Sequence, residues 1–219
     1  MPTYDDLTAL FVNCTLKRSP ELSHTQGLAD RSLALLEEQG AKVESLRLVD
    51  FDVAPGVQPD MREHGWDADA WPDVIWPKVR DADILIVGTS LQLGEPTSEA
   101  RHLIERIYAM LDETNEKGQP IFYGKVAGVI TTGDEDGVKA ASRNILFPLQ
   151  HLGYTIPAAA ETGWIGEIGP GPSYLDEGSG GPENEFTTTT LTAMSWNLLH
   201  LARLLKDAGG YPAVGNVAG

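Results

Sequence analysis

Residues 84–98 read ILIVGTSLQLGEPTS: four unbroken apolar residues lead into a short polar turn. Short apolar runs of this kind are typical of strands that are buried on both faces of a parallel sheet. The segment that follows contains Gly88 and Gly94, and its Pro96 and Thr97 are typical of the start of a helix. The stretch therefore predicts a strand, a loop at its carboxyl end and then a helix.

The same pattern recurs along the chain. Four further segments are candidate strands, one of them alternating and the last one weaker: residues 7–12, 43–49, 126–130 and 154–160. Four segments between or after them have helical periodicity: residues 25–39, 98–117, 138–152 and 191–206. Strands that alternate with helices predict right-handed βαβ units, so we expect an α/β fold, a three-layer αβα sandwich around a five-stranded parallel sheet.

Two long segments interrupt this alternation. Residues 50–77 hold four prolines and three tryptophans, and residues 163–185 are rich in Gly and Pro. Loops of such length in compact domains are usually functional or mobile. Neither resembles a linker, so we predict one domain over residues 1–219 with an insertion at 50–77 and a Gly/Pro-rich loop at 163–185. The aromatic insertion is also a candidate dimer surface.

The charge balance excludes several functions. Lys and Arg total 16 against 32 Asp and Glu, a net charge of -16, which repels nucleic acid and anionic membranes. The single cysteine, Cys14, cannot form an intrachain disulfide, and we expect it to be a small buried residue. The N-terminus has no signal-like segment, and no run approaches the ~18 apolar residues of a membrane span. We therefore expect a cytoplasmic protein without nucleic-acid or membrane partners.

Several familiar sites are missing from the sequence. It has no G-x-G-x-x-G or G-x-x-x-x-G-K-[ST] after a strand and no G-x-S-x-G, which argues against a classical dinucleotide fold, a P-loop NTPase and an α/β-hydrolase. The five histidines have no metal-site spacing, so no metal site is predicted.

The loops after the first, third and fourth apolar runs share one rim if the strand order is 2-1-3-4-5. The first loop, residues 13–25, offers hydroxyls and two cations, Lys17 and Arg18, before a helix N-terminus, which suits a phosphate. The alternative is that Ser23 and Gln26 form a capping box, which needs no ligand.

The other two loops suit a planar ring. In residues 90–94, Leu91 and Leu93 offer an apolar surface and Gly94 permits close approach, although a plain strand-to-helix turn is the alternative. Residues 131–137 could hold the other side of a ring, or their acidic members could cap the next helix. Trp164 could stack on the ring or belong to the core.

Three segments resemble the NADPH-dependent FMN reductase family, a flavodoxin-like superfamily related to the flavin-dependent quinone reductases. They are residues 13–25, GTSLQLGEPTSEARHLIERI from Gly88 and YGKVAGVITTGDEDG from Tyr123. The resemblance extends to about residue 166 and implies a flavodoxin-like sheet of order 2-1-3-4-5. The first loop departs from the family pattern, because Cys14 and Thr15 stand where a Gly-Ser start is common.

The resemblance implies which residues bind FMN. The phosphate would be held by Thr15, Lys17, Ser23 and Thr25. The isoalloxazine would be lined by Ser90, Leu91, Gln92, Leu93 and Gly94. Its other side would be closed by Thr132, Gly133, Asp134 and Gly137.

The resemblance also implies an FMN-dependent oxidoreductase that takes a hydride from NADPH or NADH and reduces a small acceptor such as a quinone or flavin. The flavin carries this chemistry, so we expect no catalytic side chain. Members are commonly oligomers, which implies a homodimer or homotetramer. Two alternatives stay open: an acidic flavodoxin-type electron carrier without its own NAD(P)H reaction, and a flavin-free binding domain.

Overall fold

A computed structural model describes residues 3–167, 169 and 171–217, so residues 168 and 170 of the predicted 163–185 loop lie outside the described residues. The strands are β1 Thr8–Asn13, β2 Lys42–Arg47, β3 Ile84–Gln92, β4 Glu95–Pro96, β5 Val126–Gly133 and β6 Glu161–Ile165. The α-helices are α1 His24–Glu38, α2 Trp76–Asp81, α3 Ser98–Tyr108, α4 Val138–Leu152 and α5 Glu185–Asp207.

Five strands pair in parallel in the order β2-β1-β3-β5-β6, and β4 forms a two-residue antiparallel arm on the end of β3. Without that arm, this is the predicted order 2-1-3-4-5. The central strands are almost wholly buried, as expected for a parallel sheet covered on both faces. The predicted flavodoxin-like α/β sandwich is confirmed.

Two apolar layers cover the sheet. Alternate residues of the strands face opposite sides, so Phe11 and Ile86 pack with α1 and α5, whereas Val12 and Val87 pack with α2, α3 and α4. Helix α1 follows β1 in the chain, and Thr25 in its first turn contacts Thr132 near the carboxyl end of β5, so the start of α1 lies at the carboxyl ends of the central strands. This placement puts a helix N-terminus beside the rim where ligands bind in open α/β sheets.

The last strand was predicted at the wrong place. Residues 154–160 are mostly irregular, and β6 is Glu161–Ile165, in which Thr162 and Trp164 are buried while their neighbours are more exposed. A sheet-edge strand shows alternation rather than a continuous apolar run, and the more continuous apolar pattern lies in the segment before it.

Two further predictions are corrected. Helix α3 ends at Tyr108 rather than near residue 117, and the predicted apolar residues Met110 and Leu111 lie in the turns that follow it. Within the insertion at 50–77, Trp71 and Trp76 are buried in the core beneath α3, and only Trp66 is substantially exposed. The tryptophans therefore do not form the exposed aromatic surface that was predicted.

Candidate functional site

The loops after β1, β3 and β5 meet around a cavity of about 180 Å³. Most of the residues predicted to contact a flavin line it: Thr15, Lys17, Ser23, Thr25, Ser90, Leu91, Gln92, Thr132, Gly133 and Asp134. The remaining three, Leu93, Gly94 and Gly137, lie just outside the lining. Residues from three separate loops are thus brought to one place, although their role toward a ligand stays a prediction.

Asn13 organises the first loop. Its Nδ2 donates to Ser23 Oγ at 3.1 Å and to Gln26 Oε1 at 3.0 Å, and its Oδ1 accepts from Thr15 N at 3.1 Å. One buried amide therefore ties the start of the loop to its end, which fixes the hydroxyls of Thr15 and Ser23 beside the cavity. No local sequence pattern marks Asn13 for this role.

The first turn of α1 offers unused donors. Ser23 is the N-cap and accepts from Gln26 N at 3.2 Å, which confirms half of the capping box, but Gln26 turns its side chain to Asn13 instead of the cap. One such cap satisfies one of the four free N–H groups of a helix start, so the preceding N–H groups remain for a ligand. With the helix dipole, they favour an anion.

The positive charge of the first loop is held in place by its neighbours. Lys17 Nζ lies 3.4 Å from the carbonyl of Leu22 and 3.9 Å from Glu21 Oε1, and Arg47 Nη1 donates to the carbonyls of Lys17 and Glu21. Lys17 is the one cationic side chain among the lysines and arginines of the described chain that lines the cavity. Arg18 is exposed and does not line it.

The second loop is a tight hairpin rather than an irregular turn. Gln92 pairs with Glu95, and the two residues between them, Leu93 and Gly94, both have positive φ (53° and 79°), as in a type I′ turn. Leu93 is 92% exposed, whereas Leu91 is 3% exposed. A large apolar residue that is exposed and held in a left-handed conformation costs conformational free energy in the ligand-free protein. Such strained residues are common at ligand sites.

The third loop packs against this hairpin. Glu135 Oε1 accepts from Leu93 N at 2.6 Å, and a Cβ on Gly137 would come within 2.8 Å of Gly94 Cα. Gly137, with φ 135°, is the N-cap of α4, and no side chain caps that helix. The acidic residues of the loop therefore do not serve as its cap, and Glu135 instead fixes the hairpin tip.

Four lining residues are not among the thirteen predicted FMN contacts: His24, Trp164, Ser173 and Tyr174. Trp164 is 4% exposed and meets the ring of Tyr174 edge-on, with the two ring centres 5.6 Å apart. Both belong to the core cluster under α1 and α5, so Trp164 is both a core and a cavity residue. Ser173 and Tyr174 lie in the loop that the sequence could not assign.

His24 connects this loop to α1. Its Nδ1 accepts from Leu175 N at 3.1 Å, and its Nε2 lies 4.0 Å from Asp176 Oδ1. Burial lowers the pKa of His24, and Lys17 acts in the same direction, while Asp176 opposes the shift. The imidazole is therefore neutral at pH 7, as an Nδ1 acceptor must be.

Two other features of the described residues, Cys14 and a larger cavity, do not offer comparable chemistry. Cys14 is buried, as predicted, and burial raises the pKa of its thiol well above the usual range, so it is no ready nucleophile. A larger cavity of about 700 Å³ lies near the start of β5, far from the three loops, and is lined by Tyr123, Phe147, Tyr211 and others. Within residues 3–167, 169 and 171–217, no acidic, His and Cys side chains cluster as a metal site would require. In those same ranges, no helix combines the length and apolar character needed to cross a bilayer.

A family model described as NADPH-dependent FMN reductase matches residues 9–161, which include all three loops. The chain is 37% identical over 209 residues to the 8-demethyl-8-aminoriboflavin-5'-phosphate synthase of Streptomyces davaonensis, covering 92% of this chain and 79% of the synthase. It is also 54% identical over 205 residues to the divalent metal cation transporter MntH of Mycobacterium bovis. That match covers 94% of this chain but spans only 30% of the transporter's length.

Two similar solved structures agree with the match to the FMN reductase family model. RosB with bound 8-demethyl-8-formylriboflavin-5'-phosphate superposes with a TM-score of 0.83 at 35% identity, covering 92% of this chain and 81% of RosB. A flavodoxin from the domain Archaea superposes with a TM-score of 0.52 at 12% identity, covering 91% of this chain and 99% of that one. The second likeness shows the shared fold alone.

Proposed function

The chain belongs to the NADPH-dependent FMN reductase family, and on that basis we propose that it holds FMN at the three-loop cavity and passes electrons from NADPH or NADH to a small acceptor. The observation that carries the proposal is the convergence of a helix N-terminus, free hydroxyls and one lysine at one end of the cavity. This is the donor set that a phosphate monoester requires.

The residues present fit the phosphate of FMN. Thr15 Oγ1 and Ser23 Oγ act as acceptors within the loop, which leaves the hydrogen of each hydroxyl for an outside acceptor. Lys17 adds a positive charge, and its ammonium keeps donors beyond those given to the Leu22 carbonyl. Together with the N-terminus of α1, these groups would offset much of the charge of a dianionic phosphate despite the net charge of -16.

The cavity fits the narrow part of the ligand. Its 180 Å³ is below the ~300–1,000 Å³ of sites that enclose whole drug-sized ligands. We therefore assign the cavity to the phosphate and ribityl chain, and the isoalloxazine to the surface at its mouth. There, the exposed Leu93 of the hairpin offers an apolar contact, while Leu91 and Thr132 are buried in the cavity wall and Gly133 and Asp134 border the other side.

When bound, FMN supplies the hydride and electron chemistry. The protein's own residues bind the phosphate, hold the hairpin against the third loop through Leu93 and Glu135, and present one ring face to a nicotinamide or an acceptor. No side chain is required as an acid or base. The acceptor class, a quinone or a flavin, stays part of the proposal.

Anaerobic stopped-flow spectroscopy tests this function directly. Protein loaded with FMN is mixed with NADPH and, separately, with NADH, and absorbance near the flavin maximum is followed. Rapid loss of that absorbance, restored by a quinone, is the expected result. A flavin that binds but stays oxidised with both nucleotides would instead favour the electron carrier.

A second candidate function is that the flavin phosphate is itself the substrate. The likeness to RosB and to the Streptomyces davaonensis synthase, whose names refer to flavin phosphates altered at position 8, favours it over the far weaker flavodoxin likeness. Mass spectrometry of the flavin recovered after incubation with oxygen and an amine donor separates the two. Unchanged FMN supports the reductase, and an altered mass supports flavin conversion.

A further inference from the structure

A second cleft lies beside the hairpin, between α3 and α4. The returning arm of the hairpin, β4, contributes to its wall together with side chains of both helices, and its volume is about 540 Å³. That volume falls within the ~300–1,000 Å³ that is usual for small-molecule sites, whereas the volume of the three-loop cavity does not. The α3–α4 cleft therefore has room for a ligand of its own.

The cleft is lined by two arginines, one from each helix. Within the described residues, Arg143 of α4 has only long contacts with Asn144 Oδ1, at 3.3 and 3.4 Å, and no carboxylate within 4 Å. Arg101 of α3 donates to Glu105 through Nε, which leaves the donors of its two Nη groups. The one carboxylate of the lining, Glu95, accepts from Asn144 Nδ2 at 2.5 Å. Two guanidinium groups against one engaged carboxylate make the cleft locally cationic in a chain of net charge -16.

Phe147 adds an aromatic surface to the cleft. Its side chain is 66% exposed, and the more buried Ile104 and Pro148 line the cleft with it. Single exposed apolar residues are common, but Phe147 stands four positions after Arg143, so the ring and the cation share one face of α4. Guanidinium groups bind carboxylates and sulfonates, and an aromatic side chain packs on a planar ring. The two together suit an aromatic molecule that carries an anionic group.

The cleft is also close to the position proposed for the flavin ring. Glu95 in its wall is two residues from Leu93, the exposed tip of the hairpin, and two residues span at most ~7 Å. The hydrogen bond between Asn144 and Glu95 holds α4 against this arm. A ligand bound by the cleft therefore reaches the hairpin tip over a length of one or two aromatic rings.

We propose that the α3–α4 cleft binds the electron acceptor, and that it selects an aromatic acceptor with an anionic substituent, such as a quinone that carries a sulfonate or a carboxylate. This inference rests on the proposed function. Arg101 and Arg143 bind the anionic group, Phe147 covers part of the apolar surface, and the reducible end extends to the hairpin tip. There the quinone accepts a hydride from the reduced flavin and a proton from solvent, and it leaves as the hydroquinone.

Reoxidation of the flavin by two matched quinones tests the inference. Protein loaded with FMN is photoreduced without NADPH and mixed anaerobically, in a stopped-flow instrument, with 1,4-naphthoquinone-2-sulfonate or with neutral 2-methyl-1,4-naphthoquinone. Arg101→Gln combined with Arg143→Gln should slow reoxidation by the sulfonate at least ~10-fold, the size of one hydrogen bond to a charged group, and reoxidation by the neutral quinone less than ~2-fold. Each quinone is compared between wild type and variant, so the difference in their own reactivity cancels.

Two further variants separate charge from packing. Phe147→Ala removes the aromatic surface alone, so it should slow reoxidation by both quinones by a similar factor of ~3–10. Lys139→Gln removes one positive charge from an exposed position of α4 outside the cleft, where Lys139 pairs with Glu161. This matched control should leave both rate constants unchanged. All of these side chains are substantially exposed, so the variants should fold.

Equal slowing of both quinones by the double arginine variant, or slowing of neither, would overturn the inference. It would also be overturned if that variant slowed flavin reduction by NADPH more than reoxidation by the sulfonate, because the cleft would then serve the nucleotide. These results would leave the proposed function standing. Failure of both NADPH and NADH to reduce FMN bound to the wild-type chain would instead overturn the proposed function.

Discussion

The hydroxyls of Thr25 and Thr132 lie 2.7 Å apart and join the first turn of α1 to the end of β5, although the residues are 107 positions apart in the chain. Both are buried and both line the cavity. This bond joins the end of the first loop to the third loop, so it couples the two halves of the proposed flavin site.

Thr132→Val removes that bond while it keeps the shape of the side chain. We expect the free energy of unfolding to fall by about 1 kcal/mol and FMN affinity to fall ~5–10-fold, because the third loop loses its anchor on α1. Thr162→Val is a matched control, since Thr162 shares a similar 2.7 Å bond with Thr190 outside the cavity. Thr162→Val should lower the free energy of unfolding by a similar amount and leave FMN affinity unchanged. Equal losses of FMN affinity in the two variants would contradict the prediction.

Asp69 of the insertion at 50–77 and Arg106 of α3 form a fully buried ion pair at 2.7 Å. Asp69 also accepts from the backbone N–H groups of Ala54, Met61 and Trp71. Asp69→Asn leaves the guanidinium buried without its counter-charge, so urea denaturation should show a loss of about 3–5 kcal/mol. Asp73→Asn, which alters an exposed pair with Arg62, should change stability by less than about 1 kcal/mol. Similar small losses in both variants would count against a structural role for the buried pair.

His102 links α3 to the insertion, with Nε2 3.2 Å from the Ala54 carbonyl. Interaction with the Glu99 carboxylate raises the pKa of His102. Its stabilising contribution is therefore complete below the unfolded pKa of about 6.5 and is lost as the pH rises through the folded pKa. The stability difference between the wild type and His102→Gln should shrink from pH 6 toward pH 9. His64→Gln, at an exposed histidine, is the control, and a pH-independent difference at His102 would refute the assignment.

Leu93 is strained in the free protein, so a residue that tolerates positive φ should relieve the strain. Leu93→Gly is expected to raise the free energy of unfolding by up to ~1 kcal/mol, as measured by thermal or urea denaturation. It should also weaken FMN binding, because the apolar contact at the cavity mouth is removed. Stabilisation without any effect on FMN would show that Leu93 does not contact the ring.

The sequence was sufficient for the central strands and for the three loops that follow them. The apolar runs at β1, β3 and β5 indicate central parallel strands, and the strand order that the family resemblance implies, which the structure confirms, places their loops at one rim. β6 was misplaced because an edge strand is half-exposed and lacks such a run. Trp71 and Trp76 were expected on the surface, but the contacts that bury them come from α3 and Phe122, which no local pattern reveals.

The position of residues 173–182 could not be predicted for a related reason. Their sequence is irregular, and their position depends on single contacts with α1, among them Gly27 beneath Leu175. A lone glycine inside a predicted helix was the one signal available. Asn13 likewise carries no local signal, because its role depends on hydrogen bonds to residues ten and thirteen positions away.

The central claim is that the three-loop cavity binds FMN, and titration of the apoprotein with FMN tests it most directly. Fluorescence quenching should saturate at one FMN per chain with a dissociation constant in the micromolar range or below. Thr15→Val combined with Lys17→Ala should weaken that binding at least ~10-fold and leave riboflavin binding almost unchanged, because both side chains act on the phosphate. Absence of saturable FMN binding, or binding that this double variant leaves intact, would contradict the account.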